Sequence, residues 1–412
     1  MRLPAWQRTL YIVLVTQFIA LAGGNLVFPF LPLYIEDLGI HDKSQVAFYA
    51  GLTSTATGVT LFIFSPVWGA LADRFGRKPL LLRAYLGATF SMGLQGIAQN
   101  VWQLFVLRAF QGAFVGTIPA AAALVASGTP PERVGYAMGL LQMAQFTSAT
   151  AGPLIGGFLA DAIGFRQTFI VTSVLFGLAG LLLVFGVHED FEPPAERTGP
   201  LESFMRNIRD VATSRTALVM IGMIFLINGS LAYIRPVIPV FVSILDPNAS
   251  GASEAGLVFA GLAVTSAGAA FVVGHFAHRI GFRRTLLLAI FGAGMAYLPV
   301  AAAGSVATLI FLMAVVGCFS GAMFPAADAL LSINAPPDKQ GSAFGLAGSA
   351  NALAFAIAPL LGGTVASLLG IRAVFITIGV ATLVIAVIAA IAVPERQPMV
   401  REVELEAVTA GD

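Results

Sequence analysis

The chain has 412 residues, of which 58% are hydrophobic and 10% charged, with a formal net charge of +1. Soluble domains carry about 25% charged residues, so this composition excludes a soluble fold and points to a bilayer. The near-zero charge argues against nothing in particular and no nucleic-acid partner is expected, while a single cysteine, Cys318, excludes an intramolecular disulfide or a cysteine-rich metal site.

A helix that crosses the hydrocarbon needs about 20 mostly apolar residues. Twelve such runs follow one another at roughly 10–34, 46–70, 79–99, 102–126, 136–160, 167–187, 216–243, 256–276, 285–303, 305–332, 342–366 and 372–393. The first has the basic start of a signal peptide, but eleven more follow, so it reads as an uncleaved span 1. Of the 22 Lys and Arg, Arg108 and Arg235 lie deep in spans, and Lys43, Arg166 and Arg372 fall in segments on one side of the membrane. The remaining seventeen fall on the other side, so the positive-inside rule puts both termini in the cytoplasm.

Residues Pro130 to Ile170 align without a gap with Pro336 to Ile376, 206 residues on. Pro29-Phe30-Leu31-Pro32 in span 1 likewise answers Pro236-Val237-Ile238-Pro239 in span 7. Such duplication predicts an all-α integral membrane protein of twelve transmembrane helices in two pseudo-symmetric six-helix bundles. The bundles are expected at 1–187 and 216–393, joined by a polar, proline-broken cytoplasmic linker at 188–215 and followed by an acidic cytoplasmic tail at 394–412. His275 and His278 share a helical face, but too few ligands surround them to predict a metal site.

Three motifs punctuate the spans. After span 2 comes Gly69-Ala70-Leu71-Ala72-Asp73-Arg74-Phe75-Gly76-Arg77-Lys78, where two glycines allow close approach and a sharp turn and the cations face the cytoplasm. A weaker copy follows span 8, with His278 in place of the acid. Span 4 carries Arg108-Ala109-Phe110-Gln111-Gly112, and span 5 carries Gly152-Pro153-Leu154-Ile155-Gly156-Gly157 with Ser148 four residues ahead. Pro153 removes a backbone donor and is expected to kink span 5, while Gly152, Gly156 and Gly157 let another helix pack closely.

These segments resemble, in turn, the loop motif, the span 4 arginine motif and the antiporter motif of the major facilitator superfamily, and the whole chain is similar to its bacterial multidrug efflux members. The resemblance implies the major facilitator fold, alternating access, a location in the bacterial inner membrane and a proton antiport mechanism. It also implies that Gly69, Asp73, Arg74, Gly76, Arg77 and Lys78 form a conformational latch, and that Arg108 either tunes a nearby carboxylate or serves a structural hydrogen bond. Span 1 departs from the antiporter pattern: Asn25 stands where many members have a carboxylate, and an amide does not titrate.

Asp328, in span 10, is the one acidic residue set within a span. A carboxyl group there can load a proton from one side and release it to the other. It reads equally as one half of a static salt bridge with Arg279, Arg283 or Arg284. The alternatives are that Glu36 and Asp37, at the outer end of span 1, carry the proton, or that another ion is coupled. Cavity-facing polar and aromatic groups are expected from Asn25, Gln111, Gln142, Gln145, Arg235, Asn351 and Phe355, with Arg235 able to receive an anion.

The resulting expectation is a monomeric secondary transporter, not an enzyme and without a cofactor, that exports small amphipathic or drug-like compounds in exchange for protons. The alternatives are a permease of the same fold for a sugar, organic acid or phosphonate, and a lipid flippase.

Overall fold

The computed structural model describes residues 4–189, 191, 215–247, 251–334 and 340–393. Nearly all of the linker and the whole acidic tail lie outside the described residues. The amino-terminal half comprises α1 (Ala5–Leu26), α2 (Leu31–Asp37), α3 (Lys43–Phe75), α4 (Arg77–Gly96), α5 (Val101–Phe114), α6 (Thr117–Gly128), α7 (Val134–Ile163) and α8 (Phe165–Gly186). The carboxyl-terminal half comprises α9 (Arg215–Ile234), α10 (Ile238–Leu245), α11 (Ala252–Ile280), α12 (Phe282–Tyr297), α13 (Val306–Asn334), α14 (Gln340–Leu369) and α15 (Ile371–Ala392). Stacked end to end, α1 with α2, α5 with α6 and α9 with α10 each make one crossing, so the fifteen α-helices among the described residues form twelve spans in two pseudo-symmetric six-helix bundles.

Ten of these spans are long and apolar enough to cross a membrane by composition alone. The other two are α4 and α7, at 20 and 30 residues. They are long enough to cross but less apolar, since α4 opens with Arg77, Lys78 and Arg83 and α7 is rich in glycine, glutamine and hydroxyl side chains.

Proline explains two of the breaks. A residue that precedes proline is pushed out of the helical region, and proline donates no hydrogen bond. Span 1 therefore unwinds over residues 27–30, ahead of and across Pro29, and span 7 unwinds over residues 235–237 across Pro236. In span 4 the break falls at Gly116, whose φ of +125° is open to glycine. Its repeat counterpart, Gly321, stays helical inside α13, so the duplication is not carried through there.

The two halves meet along α3 with α14 and along α7 with α11. The end of the bundle that bears residues 38–42, 97–100, 164 and 370 is termed the distal end, and the other the terminal end. Toward the distal end, backbones of opposite bundles touch. A Cβ placed on Gly51, Gly58, Gly157, Gly256 or Gly363 would run into the carbonyl oxygen of Pro359, Phe355, Ala252, Pro153 or Ala47, respectively. Such close approach substitutes for a hydrophobic driving force, which lipid does not supply between helices.

Eighteen residues make five full helical turns, so Gly69, Gly139 and Gly274 lie on the same faces as Gly51, Gly157 and Gly256. Among the described residues, none of the three has a heavy atom of another helix within 4 Å of a Cβ position. The bundles thus converge at the distal end and splay apart at the terminal end. Polar bridges seal the distal side: Lys43 Nζ donates to Ser243 Oγ at 3.0 Å, and the Ser253 amide donates to Asp161 Oδ2 at 2.8 Å.

Candidate functional site

The site lies where the two broken spans face each other. Phe28 and Arg235 are the residues that precede Pro29 and Pro236, so they are repeat counterparts. The pseudo-twofold relation brings them into contact: the Arg235 guanidinium carbon lies 4.7 Å from the Phe28 ring centroid and 5.0 Å from that of Phe355 on α14. Arg235 is half-buried and makes no ion pair among the described residues. A cation deep in a span costs about 2.5–3.5 kcal/mol on insertion scales, and a ring contact returns roughly 0.5–2 kcal/mol. Asn351 lies one turn from Phe355 on α14, with Oδ1 buried and unpartnered. Asn25, one turn before Phe28, packs its Cβ on Gly152 of α7. The structure therefore brings Arg235 and Phe355 together between the bundles and adds Phe28, with Asn351 one turn away on α14, whereas Asn25 meets Gly152 inside the amino-terminal bundle. The aligned prolines of spans 1 and 7 were the signal that could have found it.

Arg108 belongs elsewhere. It is 4% exposed, and its Nη1 donates to Gln111 Oε1 at 3.2 Å, an atom that also accepts from Gln95 Nε2 at 3.2 Å. Arg108 Nε is buried without a partner. Gln111 was expected to line the cavity, but its amide oxygen is engaged inside the amino-terminal bundle, because a residue three positions on from Arg108 shares its helical face. Arg83, in the terminal half of α4, holds its guanidinium 3.6 Å from the Trp68 ring centroid, and its Nη2 donates to the Phe114 carbonyl at 3.0 Å.

Asp328 is exposed and has no ion-pair partner among the described residues. It lies seven residues beyond Gly321, on the face of α13 that packs against Ser266 of α11. Glu36 is paired to Lys43 at 2.7 Å, and Asp37 approaches Arg166 at 3.9 Å, both at the distal rim. Gln142 is exposed on the terminal half of α7 and Gln145 is half-buried there.

In the loop motif the side chain of Asp73 lies outside the described residues. Its neighbours grip the segment after α8. Glu189 accepts from the amides of Arg77 and Lys78, both at 2.8 Å, across the first turn of α4. Lys78 Nζ donates to the carbonyls of Val184 and Val187, and Arg77 lies over the Phe191 ring at 5.8 Å. Gly76, at φ +92°, makes the turn, whereas a Cβ on Gly69 would meet nothing among the described residues, and Arg74 lies over Phe75.

Pro153 lies inside α7, which runs as one helix from Val134 to Ile163. The motif's glycines act by proximity: Gly152 and Gly156 abut α1 at Ala22 and Leu26, and Gly157 abuts Ala252 at the start of α11. Gly362 and Gly363 repeat this pattern, abutting Tyr233 and Ala47.

Two six-span bundles closed at one end over a cationic, aromatic site define a membrane transporter. The Major Facilitator Superfamily profile matches residues 13–250 and 236–407, and the chain belongs to that family. It is 33% identical over 371 residues to the multi-drug resistance efflux pump PmrA of Streptococcus pneumoniae serotype 4, covering 90% of this chain and 92% of that one. It is 34% identical over 381 residues to the multidrug resistance protein MdtG of Salmonella arizonae, covering 91% and 93%. Among solved structures, the nucleoside transporter NupG superposes with a TM-score of 0.78 at 11% identity, over 96% of this chain and all of that one. A bacterial homolog of the human lysosomal transporter Spinster, in an inward-facing and unoccupied conformation, superposes with a TM-score of 0.75 at 13% identity, over 95% and 97%. The fold is that of the major facilitators, and the chain is a multi-pass membrane transporter of small molecules.

Proposed function

We propose that the chain exports small amphipathic, drug-like compounds from the cytoplasm in exchange for protons, by alternating access. The observation that carries this reading is the one-ended closure of the bundles among the described residues, contact at Gly51, Gly157 and Gly256 against open space at Gly69, Gly139 and Gly274. With seventeen Lys and Arg on the terminal side, the termini are cytoplasmic and the opening faces the cytoplasm of a bacterial inner membrane. The described conformation is then the loading state, and the similarity to PmrA and MdtG supports efflux as the direction.

Asp328 is the proton carrier in this scheme: it is exposed on the open side and bound to no cation among the described residues, so each protonation event is free to bias the bundles. Arg108 positions Gln95 and Gln111 inside the amino-terminal bundle, which keeps span 4 rigid while the halves rock. The loop after span 2 is the latch of the opposite state, its Gly69 face waiting for a partner. One charge that crosses 100 mV yields about 2.3 kcal/mol, before any pH gradient. The chain works as a monomer, since each bundle supplies half of the site.

The test is a drug-susceptibility panel on cells that express the chain. A raised inhibitory concentration for several unrelated compounds is expected, and no shift for any compound would leave a metabolite permease as the better reading. Arg235, a cation between the bundles with no ion-pair partner among the described residues, is the observation that favours that second reading.

A further inference from the structure

The geometry points to an organic anion as the ligand of the Arg235 site: a compound with an acidic group, a flat apolar body and a hydrogen-bond donor close by. The inference deepens the exporter reading and rests on it for the location of the substrate path.

The two ion pairs among the described residues, Lys43 with Glu36 and Arg166 with Asp37, both lie at the distal rim, and neither reaches Arg235. Its two contacts, with Phe28 and Phe355, are to ring faces. Ring contact satisfies none of the five N–H donors of a guanidinium, whose fork matches a carboxylate. The charge is therefore held in place but not neutralised. Phe28 comes from the amino-terminal bundle and Phe355 from the carboxyl-terminal one, so the aromatic lining is complete only while the bundles are together at this level. One turn along α14, the buried and unpartnered Asn351 Oδ1 calls for a donor, which a hydroxyl or N–H on the ligand supplies. A ligand that carries only positive charge meets Arg235 without compensation.

The experiment uses the purified full chain in nanodiscs and two flat dyes of similar size, anionic fluorescein and cationic rhodamine 6G, read by fluorescence anisotropy. Saturable fluorescein binding is expected, weakened at least tenfold by Arg235→Gln and less by Arg235→Lys, whose single ammonium lacks the fork. Phe355→Leu should weaken fluorescein severalfold, and Arg235→Gln should leave rhodamine 6G binding unchanged or tighter. If Arg235→Gln does not stay monodisperse, Arg235→Lys and Phe355→Leu carry the test. Fluorescein affinity that stays within twofold of the parent in these variants, or no fluorescein binding by the parent, overturns the proposal. Because the readout is binding, it separates from the exporter reading. A chain that binds fluorescein through Arg235 yet shifts no drug's potency keeps this site and loses the exporter, and the reverse result does the opposite.

Discussion

A single methyl group at Gly51 should open the distal side. Placed there, it overlaps the Pro359 carbonyl oxygen and lies 3.0 Å from the carbonyl carbon and 3.3 Å from the Gly363 Cα. These are backbone atoms of the opposite bundle and have no rotamer by which to yield. Overpacking of this kind costs about 1–3 kcal/mol. The gain of about 1 kcal/mol in helix propensity applies in both conformations and cancels. The ratio of distal-closed to distal-open molecules should therefore fall by roughly 5- to 150-fold, at tenfold per 1.4 kcal/mol.

Spin labels on Gln99→Cys and Gly304→Cys, repeat counterparts in distal loops of opposite bundles, report the separation by electron–electron resonance in a Cys318→Ser background. The parent should give a short distance, and Gly51→Ala a growing long-distance component. The matched control is Gly69→Ala, on the same face five turns away, where a methyl meets nothing and the short distance should persist. A Gly51→Ala distribution identical to the parent's would refute the assignment of this seam as the closing contact.

The other predictions concern charge and capping. Asp161→Ala removes the acceptor for the Ser253 amide at the start of α11, a cap worth about 1 kcal/mol, so the same label pair should move toward the open distance by about fivefold in population; no movement would exclude a role in closure. Asp328→Asn should abolish pH-driven transport in proteoliposomes and spare substrate counterflow, and intact pH coupling in the mutant would sink the proton-carrier role. Glu189→Ala should lower the thermal stability of the purified protein by about 1–2 kcal/mol, because two amides of the first turn of α4 lose their acceptor; an unchanged unfolding temperature would contradict the cap.

Much of the scaffold was legible because its signals are local. Apolar runs of about 20 residues mark spans, Pro29 and Pro236 mark the breaks, and Gly76 marks a turn that its φ of +92° requires. The candidate site was legible only in part. Arg235, Asn351 and Phe355 could be singled out as polar or aromatic groups in spans, but Phe28 was passed over, since one phenylalanine among 32 carries no signal of its own. Gln111 looked free until Arg108 and Gln95 were seen to share its oxygen, and nothing in the sequence pointed to Trp68 against Arg83.

The sequence alone determined the class, the twelve crossings, the duplication and the residue types at the motifs, because each depends on contiguous residues and on the length of a bilayer. Only the tertiary structure decided which end is shut. Gly51 and Gly69 are the same residue on the same helical face, one against a carbonyl and one against nothing. Their difference comes from the relative tilt of two rigid bundles, a long-range balance of a few kcal/mol that no local pattern encodes. The same tilt brings Arg235, one of a pair of duplicated pre-proline residues, against its own counterpart, Phe28.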